Sequence, residues 1–230
     1  MYEDETRRKA APATGEAQAS LRGLSGDDLS RIISLSDGVF AFALTLLALS
    51  LTVPSFDTVG LTRGQVSSHL AYLLQQDYNA FFGYAFAFVM IAVWWVAHHR
   101  AFRYVARYNA SLVWLNMGFL LQIAVMPFVL SVFTDYASTQ IAVVLFASIQ
   151  VTLGITISVL WDYARHADLL QPNVSTAVRD YLSRRNWYSS GVFALSIAVS
   201  FLNVTAAEAC WVLVFVVQRV LDRSRSAPLA

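Results

Sequence analysis

Charge is scarce in this chain of 230 residues: Asp, Glu, Lys and Arg together make up 13% of it, against about 25% in soluble domains. That scarcity excludes an ordinary water-soluble surface, and it is unevenly spread. Residues 78–97, 110–134 and 136–161 carry no charge, residues 32–53 carry only Asp37, and residues 186–218 only Glu208. Cysteine is nearly absent too. The single Cys210 excludes an internal disulfide and reads as a packing residue in its apolar stretch. A formal net charge of +1 lacks the basic excess of a nucleic-acid binder. The four histidines are too dispersed for a metal site. His98 and His99 are adjacent, so on a helix they point about 100° apart and do not share one ion easily. No cofactor is expected. A Ser36/Asp37/His98 hydrolase would need a nucleophile elbow or an oxyanion motif, and neither occurs, so the chain does not read as an enzyme.

What is present is long apolar runs. About 20 helical residues cross the hydrocarbon core of a bilayer, and the runs predict spans near 31–53, 78–101, 110–134, 138–163, 186–204 and 206–222. The last two share one run too long for a single crossing, so the chain must turn, and Asn203-Val204-Thr205 is the local candidate. The expectation is an all-α integral membrane protein with six transmembrane helices over 29–225, a disordered cytosolic tail over 1–28, and a short tail at 226–230. No signal peptide is expected, because the first apolar run has full span length behind a polar tail.

Basic residues orient the spans. All but Arg63 of the 16 lysines and arginines fall in the first tail, in the connections after spans two and four, or at the end of span six. The positive-inside rule puts these segments and both termini in the cytosol. Trp94, Trp95, Trp161 and Trp187 cluster near that boundary, as an aromatic belt would. The Asn-x-Ser/Thr matches at Asn109, Asn173 and Asn203 fall on the cytosolic side or against the membrane and read as chance. Thr62-Arg63-Gly64-Gln65 has the spacing of a capping box, followed by apolar residues at helical intervals. It predicts an outer helix leading into span two. Residues 164–185 read as the main cytosolic loop, broken by Pro172.

The first span carries two features. Asp37 is costly inside a bilayer, by roughly 2.5–3.5 kcal/mol on insertion scales, and needs a partner. A histidine at the end of span two is the expected one. On a helical wheel, Arg31, Leu35, Phe42, Leu46, Leu49 and Val53 fall within about 40° of one line, with Gly38 and Thr45 beside it, while Asp37 points about 140° from Phe42. Such a stripe faces lipid, a neighbouring helix, or a wet path that bulky side chains narrow, and periodicity does not choose among these. In span three, Asn116 and Gln122 should face protein rather than lipid, and Pro127 should kink the helix.

Arg31-Ile32-Ile33-Ser34-Leu35-Ser36-Asp37-Gly38 resembles the first-helix signature of the transmembrane protein 175 family of potassium channels: Arg, three residues, Phe-Ser-Asp, then Gly or Ala. The run Leu44–Leu49, Trp95 with His98-His99-Arg100, and Leu115-Asn116 with the later Pro127 extend the resemblance over residues 31–133. It implies a homo-oligomer in the cell membrane, a tetramer whose central pore is lined by the first helix and passes potassium passively. Thr-Val-Gly-Tyr-Gly, the filter of ordinary potassium channels, is missing, as the family pattern requires. Counting from Asp37, the family's constriction positions fall on Phe42, Leu46 and Leu49, and its cation-preference threonine on Thr45. Arg31, Ser36, Asp37, His98, His99 and Asn116 correspond to its structural network near the cytosolic mouth. Leu35 replaces the signature Phe, and Phe42 stands where Ile or Leu is usual. A proton-coupled or other secondary transporter is the rival class, since Asp37 and the histidine pair can titrate. The inverted repeats common in such carriers are not visible.

Overall fold

Unbroken apolar runs of span length leave the backbone one way to satisfy its own polar groups in lipid, the α-helix. The computed structural model describes residues 13–49, 51, 53–76, 78–136, 138–214 and 216. It comprises α1 (Ala13–Ala48), α2 (Arg63–Gln76), α3 (Tyr78–Phe102), α4 (Ala110–Asp135), α5 (Gln140–His166), α6 (Thr176–Ser200) and α7 (Val204–Cys210). Among the described residues, four stretches are long and apolar enough to cross a membrane: Asp28–Ala48 in α1, Phe81–Phe102 in α3, and all of α4 and α5. The chain is thus an all-helical, multi-pass membrane protein. α1 packs on α3 and α4, α4 on α5, α5 on α6, and α6 on α7.

Helix ends follow their caps. Thr62 and Gln65 form the expected box: the Thr62 N–H donates to Gln65 Oε1 at 2.9 Å and the Gln65 N–H to Thr62 Oγ1 at 3.4 Å. Asn203 caps α7 by accepting from the Ala206 N–H at 2.9 Å, so the turn after α6 falls where the length of the run required it. Asn109 caps α4 by accepting from the Leu112 N–H at 3.0 Å. Two of the three sequon asparagines are therefore helix caps. α4 runs unbroken through Pro127.

Three expectations are corrected. The tail expected to be disordered over 1–28 is helical from Ala13. Extending a formed helix adds one hydrogen bond per residue without a new nucleation cost, and the Ala-, Glu- and Gln-containing stretch suits it. Residues 1–12 and the tail at 226–230 lie outside the described residues. α6, which carries the fifth expected span, begins at Thr176, not near 186, because Ser175 caps it and its first turns pack along the end of α5. There Arg165 pairs with Asp180 at 2.9 Å, and Asp162 accepts from Ser183 Oγ at 2.8 Å and Trp187 Nε1 at 3.0 Å. Finally, Trp94 and Trp161 belong to the core rather than to an aromatic belt. Their N–H groups find internal acceptors, Gln150 Oε1 at 2.9 Å and the Arg179 carbonyl at 3.1 Å, which removes the reason for an indole to stay at the interface.

The connections after α3 and α5 are stitched together. Val105 bridges Leu170, the Ala106 N–H donates to the Leu169 carbonyl at 2.8 Å, and the Gln171 N–H donates to the Tyr104 carbonyl at 2.9 Å. Tyr108 donates to Asp28 at 3.0 Å, bringing the start of the α1 span to the same end. That hydrogen bond is the main reason the Tyr108 phenol titrates above its usual range. The segments rich in arginine after α3 and α5 thus share one end of the bundle.

Close packing of α5 on α6 depends on Gly154, where a Cβ would meet the Ser190 side chain. Overpacking of this kind costs about 1–3 kcal/mol. Gly154→Val should therefore lower the denaturation temperature in detergent, whereas Gly64→Ala, which meets nothing within 4 Å, should not.

Candidate functional site

α1 has two unlike faces. Phe40, Ala43 and Leu47 are 1%, 1% and 2% exposed and pack into the core. Leu35, Phe42 and Leu49, on the stripe read from the sequence, are 53%, 65% and 77% exposed. Leu46 is half-buried and Thr45 exposed. A single chain therefore leaves most of this face uncovered. The Thr45 hydroxyl donates to the Phe42 carbonyl at 2.8 Å. With its proton spent on its own helix, the oxygen presents lone pairs outward, the arrangement a cation ligand requires.

Behind that face, α1, α3 and α4 are tied by a buried polar chain. Asn116 Nδ2 donates to Ser36 Oγ at 3.0 Å, and Ser36 Oγ donates to the Ile32 carbonyl at 2.9 Å. Asn116 Oδ1 faces His98 Nε2 at 2.8 Å. Because the serine proton goes to the backbone and the asparagine amide to the serine, Oδ1 is the acceptor and His98 carries its proton on Nε2. All three side chains are buried. The His98 ring stacks on Phe102 and Phe119, with centroids 4.4 and 5.5 Å apart.

The remaining members of the sequence-derived network sit elsewhere. Asp37 does not meet a histidine. Its Oδ1 accepts from Trp95 Nε1 at 2.9 Å, and the Trp95 ring stacks on His99 at 5.5 Å. His98 is directed inward to Asn116 because residues one apart on a helix diverge, and Trp95, three residues earlier, holds the face toward α1. Trp95 is the functional neighbour that sequence reasoning missed as a donor. Its indole lay in the quoted motif, but only the register of α1 on α3 shows which group it serves. His99 and Arg31 are exposed. Gln122 does face protein, donating to the Gly118 carbonyl and Thr156 Oγ1, both at 2.9 Å.

The family model described as the endosomal/lysosomal potassium channel TMEM175 matches residues 31–127, which hold both the uncovered face and the buried polar chain. A potassium channel of Chamaesiphon minutus is 33% identical over 191 residues, 81% of this chain and 91% of the relative. One from Streptomyces collinus is 27% identical over 77% of this chain and 84% of its own length. Among solved structures, a lysosomal potassium-selective channel TMEM175 homologue from Chamaesiphon minutus superposes with a TM-score of 0.66 at 26% identity, covering 85% of this chain and 98% of that one. Similarity that runs so far beyond a single motif makes the chain a member of the TMEM175 family.

Proposed function

We propose that the chain is a potassium channel subunit, that four copies assemble around a common axis, and that α1 of each lines the pore. The observation that carries this reading is the exposed α1 face: a helix of membrane length, packed on one side, leaves Leu35, Phe42, Thr45 and Leu49 exposed in its own subunit. One copy offers one wall, so enclosing a path requires several. The relatives named above are themselves called potassium channels. In this assembly Phe42, Leu46 and Leu49 form the constriction, which opposes ion passage by excluding water. Thr45 supplies hydroxyl oxygens that replace part of the hydration shell, and the permeant potassium is the only ion the function needs. Ser36, His98 and Asn116 hold α1 in register, while the pair Asp37–Trp95, flanked by Arg31 and His99, stabilises its end. α6, and α7 with the residues after it, supply the fifth and sixth spans. The arginine-rich end of the bundle faces the cytosol with both termini, and the membrane is the cell membrane.

Two measurements on the purified protein test this. Its mass in mild detergent should be four times the 25.5 kDa of one chain. Reconstituted in vesicles, it should let a potassium gradient decay without saturation and without a pH gradient. A monomer that leaves the gradient intact would overturn the proposal.

A further inference from the structure

A cavity of about 520 Å³ lies between α3, α5, α6 and the residues that follow α7, within the size range of small-ligand sites. Its body is apolar, with Phe86, Phe146, Phe193 and Trp211 among its walls, and its α3 rim, Val89, Val93 and Val96, is exposed. One end is basic. Arg100 and Arg185 both line it, and no carboxylate does among the described residues. Arg185 is held in place by donating to Tyr181 Oη at 2.7 Å. Arg100 sits two residues from the end of its span, at headgroup level. Between the basic end and the apolar body lies Gln150, which is 1% exposed. Trp94 Nε1 donates to its Oε1, so turning the amide over would set donor against donor. The amide nitrogen therefore points where it does by necessity, and it has no partner among the described residues. A buried N–H in a cavity calls for an acceptor. Trp94 lies six residues from Arg100, about 9 Å along α3, which puts this donor just below the headgroup.

We propose that the cavity binds one anionic phospholipid per subunit. Its phosphate sits at Arg100 and Arg185, an ester carbonyl accepts from Gln150 Nε2, and an acyl chain fills the aromatic body. The spacing of charge, donor and apolar wall matches the order of these groups along such a lipid. The site needs the membrane placement of α3 but not ion conduction, so it stands apart from the pore.

Native mass spectrometry of the delipidated protein, supplied with either phosphatidylglycerol or phosphatidylcholine, tests the proposal. One phosphatidylglycerol per subunit should be retained, with a preference over phosphatidylcholine of about tenfold from two basic side chains at headgroup level. Arg100→Gln with Arg185→Gln should abolish the preference, and Gln150→Leu should weaken retention of both lipids. The same spectrum reports whether each variant keeps the wild-type subunit count. Should the arginine variant fail to assemble, the wild-type comparison alone decides. Equal retention of the two lipids would overturn the proposal. So would a photocrosslinker at Val93 that joins a second copy while no lipid is retained, which would assign the cavity to the interface between subunits.

Discussion

Replacing Leu46 with serine should raise passive potassium flux in proteoliposomes by about tenfold or more, which requires lowering the barrier by only about 1.4 kcal/mol. The reasoning starts from water. A ring of bulky apolar side chains contributed by several copies of α1 disfavours a continuous water column, and an ion that cannot keep its hydration does not enter. Serine removes most of the bulk and adds a hydroxyl, so both the width and the polarity of the narrow point change. Phe42→Ser should act in the same direction, with the larger effect, because it removes an exposed ring at the first of the proposed constriction positions. Leu47→Ser, on the buried face of the same helix, should damage packing instead and give no gain in flux per assembled channel. Unchanged flux in both the Phe42 and Leu46 variants would remove the gate from this face.

The second large effect is on assembly of the fold. Asn116→Leu keeps the branched shape but leaves the buried His98 Nε2–H without its acceptor and removes the proton that Ser36 Oγ accepts, while the serine keeps its own bond to the Ile32 carbonyl. An unsatisfied buried polar group costs about 1–3 kcal/mol. Side-chain hydrogen bonds in membrane proteins sit at the low end of such scales, so a loss of about 2 kcal/mol is expected. For a chain of this size it lowers the denaturation temperature by about 4–8 °C. Ser36→Ala strands only the Asn116 amide proton and should cost less. A thermal transition for Asn116→Leu equal to that of the unchanged protein would show that the chain linking α1, α3 and α4 does not hold the helix.

Periodicity revealed what depends on one helix at a time. The exposed stripe of α1, the box at Thr62 and Gln65, the turn before α7 and the inward polarity of Asn116 all follow from spacing within a segment, and the described residues carry each of them. Pairing between segments was less accessible. An acid in a membrane helix needs a donor, which composition tells, but whether Asp37 meets Trp95 or a histidine depends on the rotation of α3 against α1, and no local pattern encodes that. Depth along the span alone places Trp94 and Trp161 at the interface. Their direction is inward because α5 offers Gln150 and α6 offers the Arg179 carbonyl at the matching level. The early start of α6 was hidden for a similar reason. Its first turns are too polar to read as a span, and they are helical because they lie against the end of α5, outside the apolar layer.

The central claim is that the uncovered face of α1 borders water shared by several copies. In a Cys210→Ser background, Thr45→Cys should react with a charged, membrane-impermeant thiol reagent in proteoliposomes, and the reaction should block potassium flux. A cysteine at position 45 that stays unmodified while potassium continues to flow would place that side chain in lipid or protein and contradict the account.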